Sequence, residues 1–305
     1  MDRCLQGITG MKKASWFPIL CAGILWGSMG IFVDELTALG FTTLQAAAFR
    51  ICSATIIYIV FLAIKGVNYF KIKLCDFPVF AGLGILSILA MTCFYFASIQ
   101  STSYSIAAIL LYTAPIMVSV MSAVFFKEKF TLQKTVALII AFSGCVLISG
   151  LSLGNGIKAI GIIFGLLSGL AYALYSIFGT VALKKYHPYT VSTFAFVFAS
   201  IGALVICDIP GITANIQLVQ NIPALIVKVL LTGLITAFLP FMLYTIGLKN
   251  TEPGKAAIIA CVEPLAATVF GVVKGQLITP AAAFGIIFIL VAVVIVSIPG
   301  RIENR

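Results

Sequence analysis

Charged residues are scarce in this sequence: they make up 9% of its 305 residues, whereas hydrophobic residues make up 62%. A soluble globular domain carries about 25% charged residues, so there is no room here for a soluble enzymatic domain. Nearly the whole chain is therefore expected to lie in a lipid bilayer. The formal net charge of +10 does not call for a nucleic-acid partner, because basic residues gathered on one membrane face produce the same excess.

Residues that supply catalytic or metal-binding groups are also few. The one histidine, His187, precedes Pro188 in a short segment between apolar runs, where a structural role is expected. The eight cysteines form no C-x-x-C pair and no zinc spacing, so they are predicted to be free thiols that act as small apolar residues. There is no nucleotide-binding P-loop. These absences predict no enzyme activity, no metal, no cofactor and no direct use of ATP.

What the sequence does have is long apolar runs. About 20 helical residues span roughly 30 Å of hydrocarbon, and ten runs reach that length within a few residues. The first follows three basic residues but has no small-x-small cleavage site, so it is predicted to be a membrane helix and not a signal peptide. The predicted spans are 14–33, 41–64, 76–98, 103–125, 132–150, 159–183, 189–207, 223–248, 254–273 and 280–299. They form an all-α integral membrane protein with five-helix halves at 14–150 and 158–299.

The positions of the basic residues predict the orientation of the spans. With both termini in the cytoplasm, 15 of the 19 lysines and arginines fall on the cytoplasmic side. Lys158, Lys228 and Lys274 fall outside, and Arg50 lies within the second span. Cytoplasmic loops carry such an excess. We therefore predict a multi-pass plasma-membrane protein with cytoplasmic termini and an external 151–158 loop.

Part of the first half recurs in the second half. The aligned residues include Tyr95 with Tyr244, Thr102 with Thr251, Ala107 with Ala256, and Pro115 with Pro264. GILWG in the first span likewise matches GLLSG in the sixth, and each G-x-x-x-G pattern lets helices approach closely. Because each half has an odd number of spans, the second half enters the membrane from the opposite side. The repeats are therefore predicted to be inverted and to meet around a central site.

The aligned prolines mark the fourth and ninth spans. A proline lacks the amide donor of a regular helix, and its ring crowds the preceding turn. Pro115 and Pro264 are therefore predicted to break or bend the two helices at matching depths.

Four segments together resemble a known family, the drug/metabolite transporter superfamily, and within it the EamA-type (RhaT/EamA) carriers. They are LWGSMGIF, AAAFRICSA, LLYTAPIMVSVMSAVFFKEKFT and IIACVEPLAATVFGVVKGQLIT. The resemblance covers almost the whole chain and implies transport, with substrates that range over amino acids, other metabolites and drugs. In the family, the segments of the fourth and ninth spans usually end in a glutamate followed by a Leu-Thr-like pair. Glu128 matches that feature, whereas Gln276 takes its place in the second half.

Two charged residues lie near the middle of predicted spans. A cation at the depth of Arg50 is expected to face the bundle interior, where it either attracts an anionic substrate group or anchors neighbouring helices. Glu263 directly precedes Pro264, and its repeat mate is Ala114. Burial favours the protonated carboxyl, whereas a nearby arginine favours the carboxylate. Glu263 is thus a candidate for proton coupling or amine binding, with a fixed interhelical contact as the alternative.

Aromatic residues in the spans are candidates for the wall of a central cavity, where they would stack on or hydrogen-bond a substrate, although aromatics in membrane helices more often serve for packing between helices. They are Trp26, Tyr95, Tyr112, Tyr172, Tyr175 and Tyr244. Glu128, with its neighbours Lys127 and Lys129, is predicted to cap the cytoplasmic end of the fourth span and to set topology.

These features favour a secondary transporter that exports a small polar metabolite, an amino acid or a related compound, by alternating access. Its expected partners are the small-molecule substrate, the lipid bilayer and a coupled proton, and its oligomeric state is left open. The alternatives are a multidrug or toxic-compound exporter, a membrane receptor or scaffold without transport, and an integral-membrane enzyme. The last would need clustered His, Asp or Glu residues at a membrane face.

Overall fold

The computed structural model describes residues 16–150, 158–275 and 277–298. Within these ranges ten helices are long and apolar enough to cross a membrane, which confirms the predicted number. They are α1 (Trp16–Thr37), α2 (Thr43–Lys65), α3 (Leu74–Ser101), α4 (Tyr104–Phe126), α5 (Leu132–Ser149), α6 (Ala159–Leu183), α7 (Pro188–Ile206), α8 (Ile222–Leu248), α9 (Pro253–Val273) and α10 (Pro280–Ser297). A short helix, Ile209–Leu218, joins α7 to α8. The basic N-terminal segment, most of the 151–158 loop and Gln276 lie outside the described residues.

The two five-helix halves pack through equivalent helices with their partners exchanged. α1 packs on α8 and α9 of the second half, and its counterpart α6 packs on α3 and α4 of the first half. In the same way α2 packs on α8, and α7 packs on α3, while α5 and α10 pack against each other. A two-fold axis in the membrane plane produces this exchange. The fold is a bundle of two inverted five-helix repeats.

The G-x-x-x-G segments lie where helices of the two halves come closest. A Cβ added to Gly27 of α1 would lie 2.7 Å from the carbonyl oxygen of Glu263 in α9. A Cβ added to Gly169 of α6 would lie 2.9 Å from the carbonyl oxygen of Leu110 in α4. Neither distance leaves room for a methyl group, so only glycine allows these contacts. The predicted close approach is confirmed in both copies.

α3 and α8 depart from regular helix geometry at equivalent places, which the sequence analysis did not predict. Each contains a π-helical segment, Gly82–Leu89 in α3 and Leu234–Phe238 in α8. Gly84 and Gly233, which the repeat alignment pairs, lie within or directly before these segments. A Cβ at either glycine would clash with the backbone of a helix from the other half, α7 or α2. A π turn changes the hydrogen-bond register of its helix, and in α8 the carbonyl groups of Thr236 and Phe238 accept hydrogen bonds from α2 of the other half.

α4 and α9 are interrupted shortly before their aligned prolines. The four pieces are Tyr104–Leu111, Ala114–Phe126, Pro253–Ala260 and Val262–Val273. Pro115 and Pro264 each lie in the first turn of the second piece, where a missing amide donor costs no helical hydrogen bond. In the repeat alignment the interruption at Tyr112 falls opposite the one at Cys261. The interruptions bring irregular backbone from both halves to the middle of the bundle.

Candidate functional site

A pocket runs from one end of the bundle to its middle, and we call it the Arg50 pocket. Its mouth, with a volume of about 460 Å³, is lined by Asp34, Thr37, Thr43 and Tyr104 among other residues. Its inner part has a volume of about 80 Å³. The residues common to both parts are Met29, Arg50, Met91 and Tyr95. We call this end of the bundle the Asp34 end, and the opposite end, where the buried Lys134 lies, the Lys134 end.

Arg50 enters the pocket from α2 and is held by both halves. Its side chain is buried, and its Nη1 donates to the Met29 sulfur at 3.2 Å and to the Thr236 carbonyl oxygen at 3.3 Å. Thr236 belongs to the π-helical segment of α8, so the irregular register supplies this acceptor. Two turns further along α2, the Tyr58 hydroxyl donates to the Phe238 carbonyl oxygen of the same segment at 2.8 Å. The π-helical segment therefore positions the guanidinium.

Glu263 enters the inner part of the pocket from α9. It lies in the first turn of the piece Val262–Val273, where the helix dipole favours a negative charge. Arg50 lines the same inner part, but among the described residues neither side chain belongs to an ion pair. Both charges thus remain available to a molecule in the pocket.

Aromatic side chains close the inner part of the pocket. The Trp26 ring centre lies 6.1 Å from that of Tyr172 and 5.0 Å from that of Phe241, with both rings edge to face. Tyr95 and Tyr112 complete the lining. The structure therefore brings together six residues singled out by the sequence analysis: Trp26, Arg50, Tyr95, Tyr112, Tyr172 and Glu263.

Tyr244 and Tyr175 do not line the Arg50 pocket; they are packed between helices, the alternative that the sequence left open. Tyr244 is 1% exposed and its hydroxyl shares a hydrogen bond with the Ser176 hydroxyl at 2.7 Å, while Tyr175 is buried and shares one with Thr245 at 2.9 Å. Tyr244 instead borders a void of about 10 Å³ on the far side of Tyr172. Inversion explains the different surroundings of Tyr95 and Tyr244, because these repeat mates lie on opposite sides of the membrane midplane.

The sequence analysis missed Met29, Met91, Leu111 and Phe241 as pocket residues. Phe241 lies one turn before Tyr244, so helical periodicity offered a signal for it. Met29 follows an interruption of α1 at Ser28, whose hydroxyl donates to the Leu25 carbonyl oxygen at 2.7 Å. No proline marks that interruption.

The Lys134 end is closed by a buried ion pair. Lys134 of α5 pairs with Glu128, and both side chains are nearly inaccessible. Glu252, just before α9, lies 3.8 Å from the same ammonium group and so connects the second half to the first. The Glu128 amide donates to the Ser122 carbonyl oxygen at 3.3 Å, so Glu128 takes part in the predicted cap of α4. The backbone of Lys127, in the left-handed conformation with φ 55°, ends α4, while the Glu128 carboxylate pairs with Lys134.

The Asp34 end also has ion pairs between the halves, but these are exposed. Asp34 of α1 pairs with Lys274 after α9 at 3.1 Å, and Glu35 of α1 pairs with Lys228 of α8 at 3.3 Å. Between 38% and 71% of each side chain is accessible, so water screens these charges. Asp34 itself also lines the mouth of the pocket.

The remaining chemistry-bearing residues have structural surroundings. The Nδ1 atom of His187 accepts a hydrogen bond from the Tyr189 amide at 3.3 Å and so caps α7. The imidazole packs against the rings of Tyr69 and Tyr189. The seven cysteines in the described ranges are free thiols, and no group of three or more His, Cys, Asp or Glu residues there is arranged to hold a metal ion.

Comparisons with known proteins agree on the kind of protein that this chain resembles. A sequence model described as the EamA-like transporter family matches residues 15–150 and 159–298. An uncharacterized transporter of Archaeoglobus fulgidus is 26% identical, over 86% of this chain and 89% of the relative. The uncharacterized transporter YwfM of Bacillus subtilis is 23% identical, over 93% of each chain. A solved crystal structure covers 92% of this chain and 96% of its own with a TM-score of 0.76; at 16% identity it shows a shared fold.

Proposed function

The chain belongs to the EamA-like transporter family, and on this premise we propose that it is a secondary transporter that exports a small zwitterionic metabolite, an amino acid or a related compound, across the plasma membrane. One observation carries the proposal: Arg50 and Glu263, from different halves, line one pocket without forming an ion pair. A guanidinium offers paired donors to a carboxylate, and a carboxylate accepts hydrogen bonds from an ammonium group. The aromatic lining lowers the local dielectric constant and so strengthens both interactions.

The unequal ends of the bundle support alternating access. The Arg50 pocket is open at the Asp34 end and closed by packed side chains at the Lys134 end. Since lysines collect at the Lys134 end, we assign that end to the cytoplasm, which makes the described state outward-open. In the inward-open state the two repeats exchange conformations, so the pocket opens towards the cytoplasm and takes up substrate for export.

Glu263 provides a means of coupling export to a proton. In the outward-open state a proton that binds Glu263 removes the carboxylate that holds the ammonium group of the substrate. The substrate then leaves, and the protein returns to the inward-open state with Glu263 protonated. Arg50 keeps its charge throughout and binds the carboxylate group of the substrate in both states.

Flux in proteoliposomes tests this proposal. The probes are labelled L-amino acids, screened by counterflow with the purified protein. We expect Glu263→Gln to remove pH-dependent flux and Arg50→Gln to weaken substrate binding roughly tenfold to hundredfold, the equivalent of a lost charge-assisted hydrogen bond. Glu35→Gln is the matched control, because it makes the same change outside the pocket. Normal flux with an unchanged pH profile in Glu263→Gln would contradict the role of the carboxylate.

Labelling tests the orientation separately. In a background without native cysteines, Lys158→Cys should react with a membrane-impermeant maleimide from outside intact cells, whereas Lys71→Cys should react only after lysis. Reaction of Lys158→Cys only after lysis would reverse the assignment of the two ends, so that the described state would be inward-open.

A second candidate function is export of amphipathic cationic drugs, and the composition of the pocket wall favours it. Met29 and Met91 are flexible and polarizable, and methionines adapt to differently shaped ligands. Trp26 and Tyr172 offer faces that attract a cation. Competition separates the candidates: a lipophilic cation that inhibits equally in wild type and Arg50→Gln favours drug export, because a cation does not need the guanidinium.

A further inference from the structure

A second cavity, with a volume of about 690 Å³, lies at the Lys134 end where α4, α6 and α9 meet. We call it the basic cavity, because four lysines line it: Lys127, Lys129, Lys184 and Lys255. It lies at the boundary between the two halves. The packed layer around Tyr244 separates it from the Arg50 pocket.

The positive charge of the basic cavity is incompletely compensated. Its two acidic lining residues are Glu128 and Glu252. Glu128 pairs with the buried Lys134, and Glu252 pairs with Lys255 at 3.3 Å. In the part of the chain that the structure describes, no carboxylate pairs with the other three lysines. An anion in the cavity would supply the missing charge.

The cavity is bordered by apolar surface that faces away from the protein. Phe125 lines the cavity and is 63% exposed. Val124 and Val120, further along α4, are also exposed and continue this surface towards the middle of the membrane. Thus a polar basic site and a strip that suits an acyl chain lie side by side on one helix.

Lys127 adds an independent indication. Among the described residues it is the one non-glycine residue with a positive φ. Glycine takes this conformation at helix ends without a steric cost, whereas a side chain makes it strained. Strained residues concentrate at functional sites. Lys127 adds a positive charge to the lining of the cavity, and its backbone is strained as a result.

We propose that the basic cavity binds the phosphate group of an anionic phospholipid, whose acyl chains lie along the exposed strip of α4. Basic pockets between helices near a membrane surface bind such headgroups. The bound lipid contacts α4 of the first half and α6 and α9 of the second half. It thereby stabilises the closed Lys134 end.

Lipid retention in native mass spectrometry tests the proposal on protein taken from nanodiscs of phosphatidylcholine with phosphatidylglycerol. We expect Lys127→Gly with Lys184→Gln to retain about one phosphatidylglycerol fewer than wild type. Lys65→Gln with Lys71→Gln is the matched control, because it removes two lysines from the same end outside the cavity. We expect the control to retain phosphatidylglycerol as wild type does.

Thermal unfolding checks that the variant is folded. In pure phosphatidylcholine, Lys127→Gly alone should unfold at or above the wild-type temperature, since it relieves strain, yet it should lose part of the stabilisation by phosphatidylglycerol. Equal loss of lipid in the control pair would overturn the proposal by showing general surface attraction. Full stabilisation by millimolar inorganic phosphate in pure phosphatidylcholine would also overturn it, in favour of a soluble anion.

Discussion

The Asp34 end and the Lys134 end are built from equivalent helices, yet one is open and the other is closed. At the Asp34 end, exposed ion pairs join the halves and Tyr95 lines an open pocket. At the Lys134 end, the ion pair is buried and Tyr244, the repeat mate of Tyr95, is packed against its neighbours. The same alignment position therefore has opposite surroundings in the two halves. The comparison teaches that equivalent helices of the two halves are joined by different side-chain interactions at the two ends of the bundle.

The largest effect is expected from breaking the buried pair at the Lys134 end. Lys134→Met leaves the Glu128 carboxylate buried without its partner, which costs about 3–5 kcal/mol of unfolding free energy. The measurement is denaturant unfolding of the purified protein. Lys134→Met combined with Glu128→Leu should recover most of the loss, because no charge is then buried alone. A single variant as stable as wild type would show that this pair does not hold the closed end.

A smaller effect is expected from replacing Tyr244, the repeat mate of Tyr95. Tyr244→Phe removes the hydrogen bond with Ser176 and should cost about 0.5–1.5 kcal/mol, and it should also raise maleimide labelling of Val118→Cys from the Lys134 end. Tyr95→Phe is the matched control. The Tyr95 hydroxyl lines the open pocket, so its removal should leave unfolding nearly unchanged. Equal costs in the two variants would mean that the packing at the two ends is not different.

The exposed pairs at the Asp34 end should contribute less still. Asp34→Asn and Glu35→Gln should each lower the unfolding free energy by about 0–1 kcal/mol. Because exposed charges are screened by salt, whatever loss is measured at low salt should shrink in 1 M sodium chloride. A loss of several kcal/mol that persists in high salt would contradict the contrast between the two ends.

The smallest effect is expected when acid protonates His187, the residue that caps α7. Burial, with the positive charge of Lys249, lowers the pKa of His187 below its ordinary value. The unfolded chain then binds the proton more readily, so stability is complete above about pH 6.5 and falls as the pH drops towards the lowered pKa. The protonated Nδ1 also cannot accept from Tyr189. His187→Asn keeps a capping acceptor without titrating, and should remove this acid dependence from the unfolding curve.

The sequence predicted the parts of the fold that depend on residue type along the chain. The length of the apolar runs predicted the ten spans. The alignment of Pro115 with Pro264 predicted the repeat, and the odd number of spans in each half predicted its inversion. The rarity of charges at mid-span indicated Arg50 and Glu263. The π-helical segments were not predictable, because π and α turns share the same apolar composition. Nor could sequence place Tyr244 outside the pocket. A repeat alignment treats two mates as equal, whereas their burial depends on which end of the bundle is closed.

The loss of symmetry at Glu263 limits the energetics of a transport cycle. Its repeat mate is Ala114, and in the described ranges Glu263 is the one carboxylate that lines the inner pocket. If this group is the coupling site, one turnover exchanges at most one proton for one neutral zwitterion. The cycle is then electrogenic, and membrane voltage drives it with about 2.3 kcal/mol per 100 mV. That energy sustains a concentration ratio of roughly fiftyfold, even when the pH is equal on both sides of the membrane.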